Sequence, residues 1–401
     1  MTGAEMSGEF IRRHGITLLL FASCVAQMLC LMAMKSTISL FILYLGGTTF
    51  MAGILSTVLV ICGLVVKPAV GFALDKVGPK PMYFYTAILT ILSSFAHFVS
   101  AGSSILGIGI LGIVLTGIGY STMSTISVPI FLLRSQMHEQ NKYMINLAGF
   151  KTVLVTAVAP TMSQEILYRW GFQPLYLTLI AISIGGILLN ACIMSKLPRR
   201  QEISAPDCIK AVCNSVWKVI FTAPFLLLFF ANVAWGMTNG LLLTFLIPFG
   251  VEKGLNNAGL FFTIYSATNI ALRGFVPRYM DKIGRKWLLI SSFAFMVPGT
   301  MGLALLNQQT DLILPALLNG IGTCAVYTPL VSLVLDYLPE EGKMSGLGIF
   351  LAAFEVGHGL TSLLVGIMST LWGYEMIFAV IGLVPLLGIA AICLGVNKNT
   401  Q

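Results

Sequence analysis

Charge is what this sequence has least of. Asp, Glu, Lys and Arg together make up 9% of its 401 residues, where soluble domains carry roughly 25%. So little charge cannot cover the surface of a water-soluble fold of this length. Acids are scarcer than bases, 15 against 23, so chemistry that needs clustered carboxylates has little to draw on. The four histidines and eight cysteines are scattered, with no metal-ligand spacing, which points to free thiols and neither a metal site nor a disulfide framework. No Gly-rich phosphate-binding loop is present, which argues against ATP-driven chemistry, and no cofactor is implied. No polar stretch is long enough to house a catalytic domain, so the sequence does not read as an enzyme.

What is abundant is apolar: 57% of the residues. Hydrophobic runs recur with short polar gaps, each about as long as the roughly 20 residues that cross a hydrocarbon core about 30 Å thick. Twelve are read, at about 16–44, 48–74, 81–100, 104–133, 143–167, 173–195, 223–249, 258–277, 287–306, 312–335, 344–370 and 375–396. The run after Arg12-Arg13 is too long for the apolar region of a cleaved signal, so it reads as the first span. With both termini cytoplasmic, most basic residues fall inside and only Arg169 and Lys253 outside. The formal charge of +8 is then a record of topology, with a small attraction to anionic lipid, and not a nucleic-acid footprint. Tyr168, Trp170 and Trp372 outside, and Trp217 and Trp287 inside, read as an interfacial belt.

Landmarks repeat at a nearly constant offset: Asp75 as Asp281, Gly117-Ile118-Gly119 as Gly320-Ile321-Gly322, Trp170-Gly171 as Trp372-Gly373. Two six-helix halves follow, residues 1–195 and 223–401, joined by a cytoplasmic linker at 196–222. A repeat of even helix number keeps its orientation, so the halves are expected to be related by an axis along the membrane normal, with a solute site near the midplane between them. In the linker, Ser204-x-x-Asp207 can cap a helix whose Ile209, Val212, Val216 and Val219 share one face, the pattern of a helix lying on the inner membrane surface.

The decapeptide Gly71–Lys80, GFALDKVGPK, joins the second and third spans and returns as PRYMDKIGRK at Pro277–Lys286. In both, a glycine (Gly78, Gly284) permits a sharp reversal. The acid (Asp75, Asp281) can accept helix-end N–H groups or a neighbouring cation, and the bases (Lys76, Lys282, Arg285) favour the inner face. The pattern G-x-x-x-D-K-x-G-x-K resembles the loop motif of the major facilitator superfamily, the second copy departing from it with Pro277 for the opening glycine. The resemblance implies an all-α membrane protein of twelve helices in two pseudo-symmetric six-helix bundles, working by alternating access. It also implies that Gly71, Asp75, Lys76, Gly78, Asp281, Lys282, Gly284 and Arg285 form gating loops.

Charges inside apolar runs are costly and usually functional. Here they are Lys35, Lys67, Lys151 and Arg273 against one acid, Glu355, with His358 three residues on. Lys67 and Arg273 each precede their motif aspartate by eight residues, about 12 Å of helix. They can line the path of an anion or belong to the cytoplasmic gate. Lys151 and Glu355 also occupy equivalent positions and can pair with each other or act separately. Glu355 and His358 share a helix face, where a carboxylate whose protonation removes a desolvation cost can carry a coupling proton. Lys35-Ser36-x-Ile38 with Asn269-x-x-x-Arg273 resembles the first-helix lysine and eighth-helix arginine of the monocarboxylate transporter family, which has an aspartate where this chain has Asn269. That substitution moves the expected proton carrier to Glu355. Glu355-x-Gly357-x-Gly359 resembles the acidic, Gly-rich eleventh helix of some bacterial efflux proteins.

The resulting expectation is a monomeric, proton-coupled secondary transporter in a bacterial inner membrane, moving a small organic anion. Arg273, Lys151, Lys35, Asn269 and Tyr327 are its candidate substrate contacts, and Glu355 with His358 its candidate proton carriers. Gln27, Asn146, Asn232, Asn239 and Asn319 are further pore-lining candidates. The competing reading is efflux of an amphipathic molecule, a drug or siderophore, by proton antiport.

Overall fold

The computed structural model describes residues 3–132, 138–194, 219–338, 343–369 and 371–395. All regular structure among them is helical. In chain order the α-helices are α1 (Gly3–Tyr44), α2 (Thr49–Val77), α3 (Pro79–Ser103), α4 (Leu106–Leu132), α5 (His138–Trp170) and α6 (Phe172–Met194). They continue as α7 (Ala223–Glu252), α8 (Leu260–Arg273), α9 (Val276–Ile283), α10 (Arg285–Met301), α11 (Ile313–Cys324), α12 (Tyr327–Tyr337), α13 (Lys343–Met368), α14 (Tyr374–Ile381) and α15 (Val384–Gly395), with 3-10 turns at Gly302–Leu305 and Gln309–Leu312. Residues 195–218, which hold the expected linker helix, lie outside the described residues.

Ten helical segments among the described residues are long and apolar enough to cross a membrane. The fifth and eighth expected spans are the two outside that number. Lys151, Gln164 and Glu165 make α5 polar, and the eighth span is broken into α8 and α9.

The breaks have one chemical cause. Proline has no N–H to give to the carbonyl four residues back. Pro277 withdraws it from Arg273, where α8 ends, and Pro385 from Ile381, where α14 ends. Pro329 withdraws it from Ala325, which caps α11 just before α12 begins. A helix can instead continue through its proline, as α2 does through Pro68 and α7 through Pro248. Arg273 therefore stands at a helix C-terminus, where the negative end of the peptide dipoles favours a cation. Lys67, its counterpart in the repeat, lies in an unbroken helix.

The chain divides into two compact units, residues 1–35 with 61–204, and residues 36–60 with 205–401. In a bilayer, helices associate by close packing and interhelical hydrogen bonds, because lipid tails already solvate apolar side chains. The first unit is stitched accordingly. The Tyr83 hydroxyl lies 3.1 Å from the carbonyls of both Ser23 on α1 and Gly186 on α6. Ser121 on α4 donates to the carbonyl of Gly63 on α2 at 2.7 Å.

In the second unit α7 and α13 approach backbone to backbone. A Cβ on Gly240 would lie 2.9 Å from the His358 Cα, and one on Gly357 would lie 2.9 Å from the Met237 nitrogen. One end of this unit is filled by an aromatic core of Phe245, Phe249, Phe261, Tyr374 and Phe378. Phe225, Phe293, Met296, Leu330 and Phe350 fill the other.

Candidate functional site

In the first unit the polar groups converge on one face of α4. Thr116, Tyr120 and Ser127 recur at i, i+4 and i+11, within one stripe of a 3.6-residue helix. The Thr116 hydroxyl meets Ser93 of α3 at 2.6 Å. Ser93, Ser94 and Thr116 all direct hydroxyls at the Met34 sulfur, at 3.5, 3.5 and 3.8 Å.

Beside Met34, Lys35 is 4% exposed and holds its Nζ 4.4 Å from the centre of the Tyr120 ring. Two turns further along α4, Ser127 accepts a hydrogen bond from Lys151, which is 1% exposed. Ser127 in turn donates to the Met123 carbonyl.

Tyr120 and Ser127, seven residues apart, thus hold cations from two other helices about 10 Å apart along one stripe. Lys35 lies over an aromatic face, an attraction worth about 2 kcal/mol when desolvated. Lys151 is in a different condition. An ammonium has three N–H donors; one is used, and no carboxylate among the described residues pairs with it. A buried charge so poorly matched is expensive.

In the second unit the glycine contacts of α7 and α13 bring Trp235 against Phe354, ring centres 4.7 Å apart. Tyr327, the first residue of α12, lies 6.4 Å from Trp235. One turn along α7, Asn239 donates to the Trp235 carbonyl at 3.0 Å and accepts from the Tyr265 hydroxyl of α8 at 3.4 Å. Tyr265, Asn269 and Arg273 follow at i, i+4 and i+8. Asn269 donates to Thr323 of α11 at 3.3 Å, leaving its buried Oδ1 without a partner.

Arg273 is exposed and makes no ion pair or hydrogen bond among the described residues. On the α13 side, Glu355 is half-buried and His358 is buried, its Nε2 3.2 Å from the Thr244 hydroxyl.

The predicted residues therefore sort by unit. Asn269, Arg273 and Tyr327 lie on the two helices that proline breaks delimit in the second unit, and Lys35 and Lys151 meet side chains of α4. Gln27, Asn232 and Asn319 are helix ties. Gln27 exchanges hydrogen bonds with Ser183, Asn232 donates to the Phe350 carbonyl, and Asn319 accepts from Thr300. The side chain of Asn146 lies outside the described residues.

Of the repeated Asp-Lys-x-Gly motif, the side chains of Gly71, Asp75 and Lys76 lie outside the described residues. Gly78 and Gly284 share a φ of 80° at the starts of α3 and α10, a left-handed turn that other residues adopt only with strain. Asp281 and Lys282 are exposed. Arg285 reaches Asp336 at 2.6 Å and Ser332 at 2.9 Å on α12. Sequence reasoning missed Tyr120, Ser127, Trp235 and Phe354. The helical spacing of hydroxyls in an apolar run pointed to the first two, and Trp235, far from any span end, did not fit an interfacial belt.

Ten apolar membrane-length helical segments among the described residues, packed by glycine contacts and interhelical hydrogen bonds, define a polytopic membrane protein. The family comparison makes this specific: the model of the Major Facilitator Superfamily matches residues 16–314 and 256–400, and the chain belongs to that superfamily. It is 23% identical to the staphylopine export protein of Staphylococcus aureus, over 96% of this chain and 94% of that one. It is 22% identical to YhhS of Escherichia coli, an uncharacterized transporter of the same type, over 85% and 83%. Its fold is like that of the nucleoside transporter NupG, with a TM-score of 0.77 at 14% identity, covering 95% of this chain and 100% of the other. A transporter of the POT family in complex with 5-aminolevulinic acid aligns with a TM-score of 0.71 at 12% identity, over 94% of each chain. The protein is a multi-pass membrane transporter and not an enzyme.

Proposed function

We propose that this protein is a proton-coupled secondary transporter that exports a small organic anion across a bacterial inner membrane, as a monomer with both termini cytoplasmic. The observation that carries the reading is Lys151. Its ammonium is buried and, among the described residues, is held by the Ser127 hydroxyl alone and has no carboxylate partner. A visiting carboxylate supplies both the missing charge and the missing acceptors.

Arg273, with Asn269 and Tyr327, is the anion contact of the second unit, and Lys35 adds positive potential along α4. Glu355 carries the proton, with His358 one turn away on the same helix. Export is favoured over uptake by the similarity to a protein named for staphylopine export.

Counterflow in proteoliposomes tests the reading. Vesicles preloaded with a panel of small carboxylates and, separately, with their uncharged amides are assayed for exchange of labelled solute, with and without an imposed pH gradient. The expected result is exchange of carboxylates only, accelerated by the gradient and lowered at least tenfold by Lys151→Gln. Equal exchange of amides, or an unaffected Lys151→Gln variant, rejects the anion assignment. No response to the gradient rejects proton coupling.

A further inference from the structure

The rings gathered in the second unit are not explained by a requirement for an anion. Trp235 is half-buried, packed against Phe354 at 4.7 Å and facing Tyr327 at 6.4 Å. Its indole Nε1 is buried and has no acceptor among the described residues. Unpaired indole N–H groups are uncommon, because burying one without an acceptor forfeits the hydrogen bond it made in water.

Polar side chains adjoin these rings. Asn239 sits one turn along α7, Tyr265 and Asn269 line α8, and Arg273 ends that helix one turn past Asn269. Tyr327 itself is 43% exposed, so the cluster is open on one side. Two proline breaks hold Arg273 and Tyr327 at helix ends, and the glycine contacts of α7 with α13 fix the Trp235 and Phe354 backbones.

We infer that Trp235, Phe354 and Tyr327 form a receptor for a planar unsaturated ring on the transported molecule, with the indole N–H donating to a ring or ring-adjacent acceptor and Arg273 meeting its acidic group. The substrate class is a heteroaromatic carboxylate or its close relatives. Stacking supplies ring selectivity, and the unpaired donor selects against rings that offer it no acceptor. The charged end of this assignment rests on the anion reading above; the ring end does not.

Equilibrium binding to the purified full chain separates the two, with benzoate, cyclohexanecarboxylate, benzamide, cyclohexanecarboxamide and nicotinate as probes. Benzoate is expected to bind about tenfold tighter than cyclohexanecarboxylate, and benzamide to exceed cyclohexanecarboxamide by a similar factor, the yield of stacking on about two rings. Nicotinate, whose ring nitrogen is an acceptor, should exceed benzoate roughly threefold. Trp235→Phe keeps the ring but lacks the N–H, so it should abolish the nicotinate advantage alone. Trp235→Leu should abolish ring preference in both series, while Trp372→Leu changes neither.

Overturning results are equal binding of aromatic and alicyclic probes, a ring preference that survives Trp235→Leu, a nicotinate advantage that survives Trp235→Phe, or no saturable binding of any probe. Should benzamide match benzoate while ring preference holds, the anion reading fails and the aromatic receptor stands.

Discussion

The two units handle positive charge in opposite ways. In the first, Lys151 is buried and held by one hydroxyl, and Lys35 lies over the Tyr120 ring. In the second, Arg273 is exposed at the end of a broken helix, where the peptide dipoles already favour it. The repeat that pairs Lys67 with Arg273 in sequence is thus not a repeat of environment, because α2 runs on through its proline and α8 does not. The contrast teaches that Arg273 sits where solvent and helix dipoles offset its charge, whereas Lys151, among the described residues, has only a hydroxyl to offset its burial, the gap that the proposed anion would fill.

The largest expected effect bears on what holds the second unit's site in place. Gly357→Leu puts a side chain into the backbone of α7 at Val233 and Met237. It should cost more than about 3 kcal/mol, beyond the usual range for a point substitution, read as loss of monodisperse protein or a large fall in thermal midpoint. Survival at the wild-type midpoint would show that the α7–α13 contact is not what fixes Trp235 and Phe354.

Next is Tyr120→Leu, which removes the face over which Lys35 lies. A loss of about 2 kcal/mol is expected, with Tyr120→Phe largely retaining stability. Thermal unfolding of the two variants separates ring from hydroxyl, and equal losses would place the contribution in the hydroxyl. The smallest effect falls at the second copy of the Asp-Lys-x-Gly motif. Arg285 and Asp336 are 24% and 45% exposed, so breaking this pair with Asp336→Asn should cost no more than about 1 kcal/mol. A double-substitution cycle with Arg285→Gln measures it, and a coupling several times larger would mean the loop is a structural clamp.

Much of this was legible in the sequence. The spans follow from apolar run length, and the two glycine turns from Asp-Lys-x-Gly, whose φ of 80° recurs in both copies. The intramembrane cations declare themselves by their cost. What could not be read was pairing. Gln27 and Asn232 look like pore residues in one dimension but are consumed by Ser183 and by the Phe350 carbonyl. Ser127 and Tyr120 look unremarkable until α5 and α1 deliver lysines to them. The helix breaks follow a rule that needs only proline positions, yet α2 and α7 continue through theirs, so which prolines break a span is settled by packing around them.

The most direct measurement takes Lys151→Met and records thermal stability and solute exchange on the same preparation. Methionine fills nearly the same volume without charge, and replacing a poorly compensated buried charge by an apolar side chain is neutral or stabilising. The account predicts a thermal midpoint equal to or above wild type together with at least a tenfold loss of carboxylate exchange. A lowered midpoint with exchange intact would contradict it, making Lys151 a structural residue of α4 and α5 and not the seat of the anion.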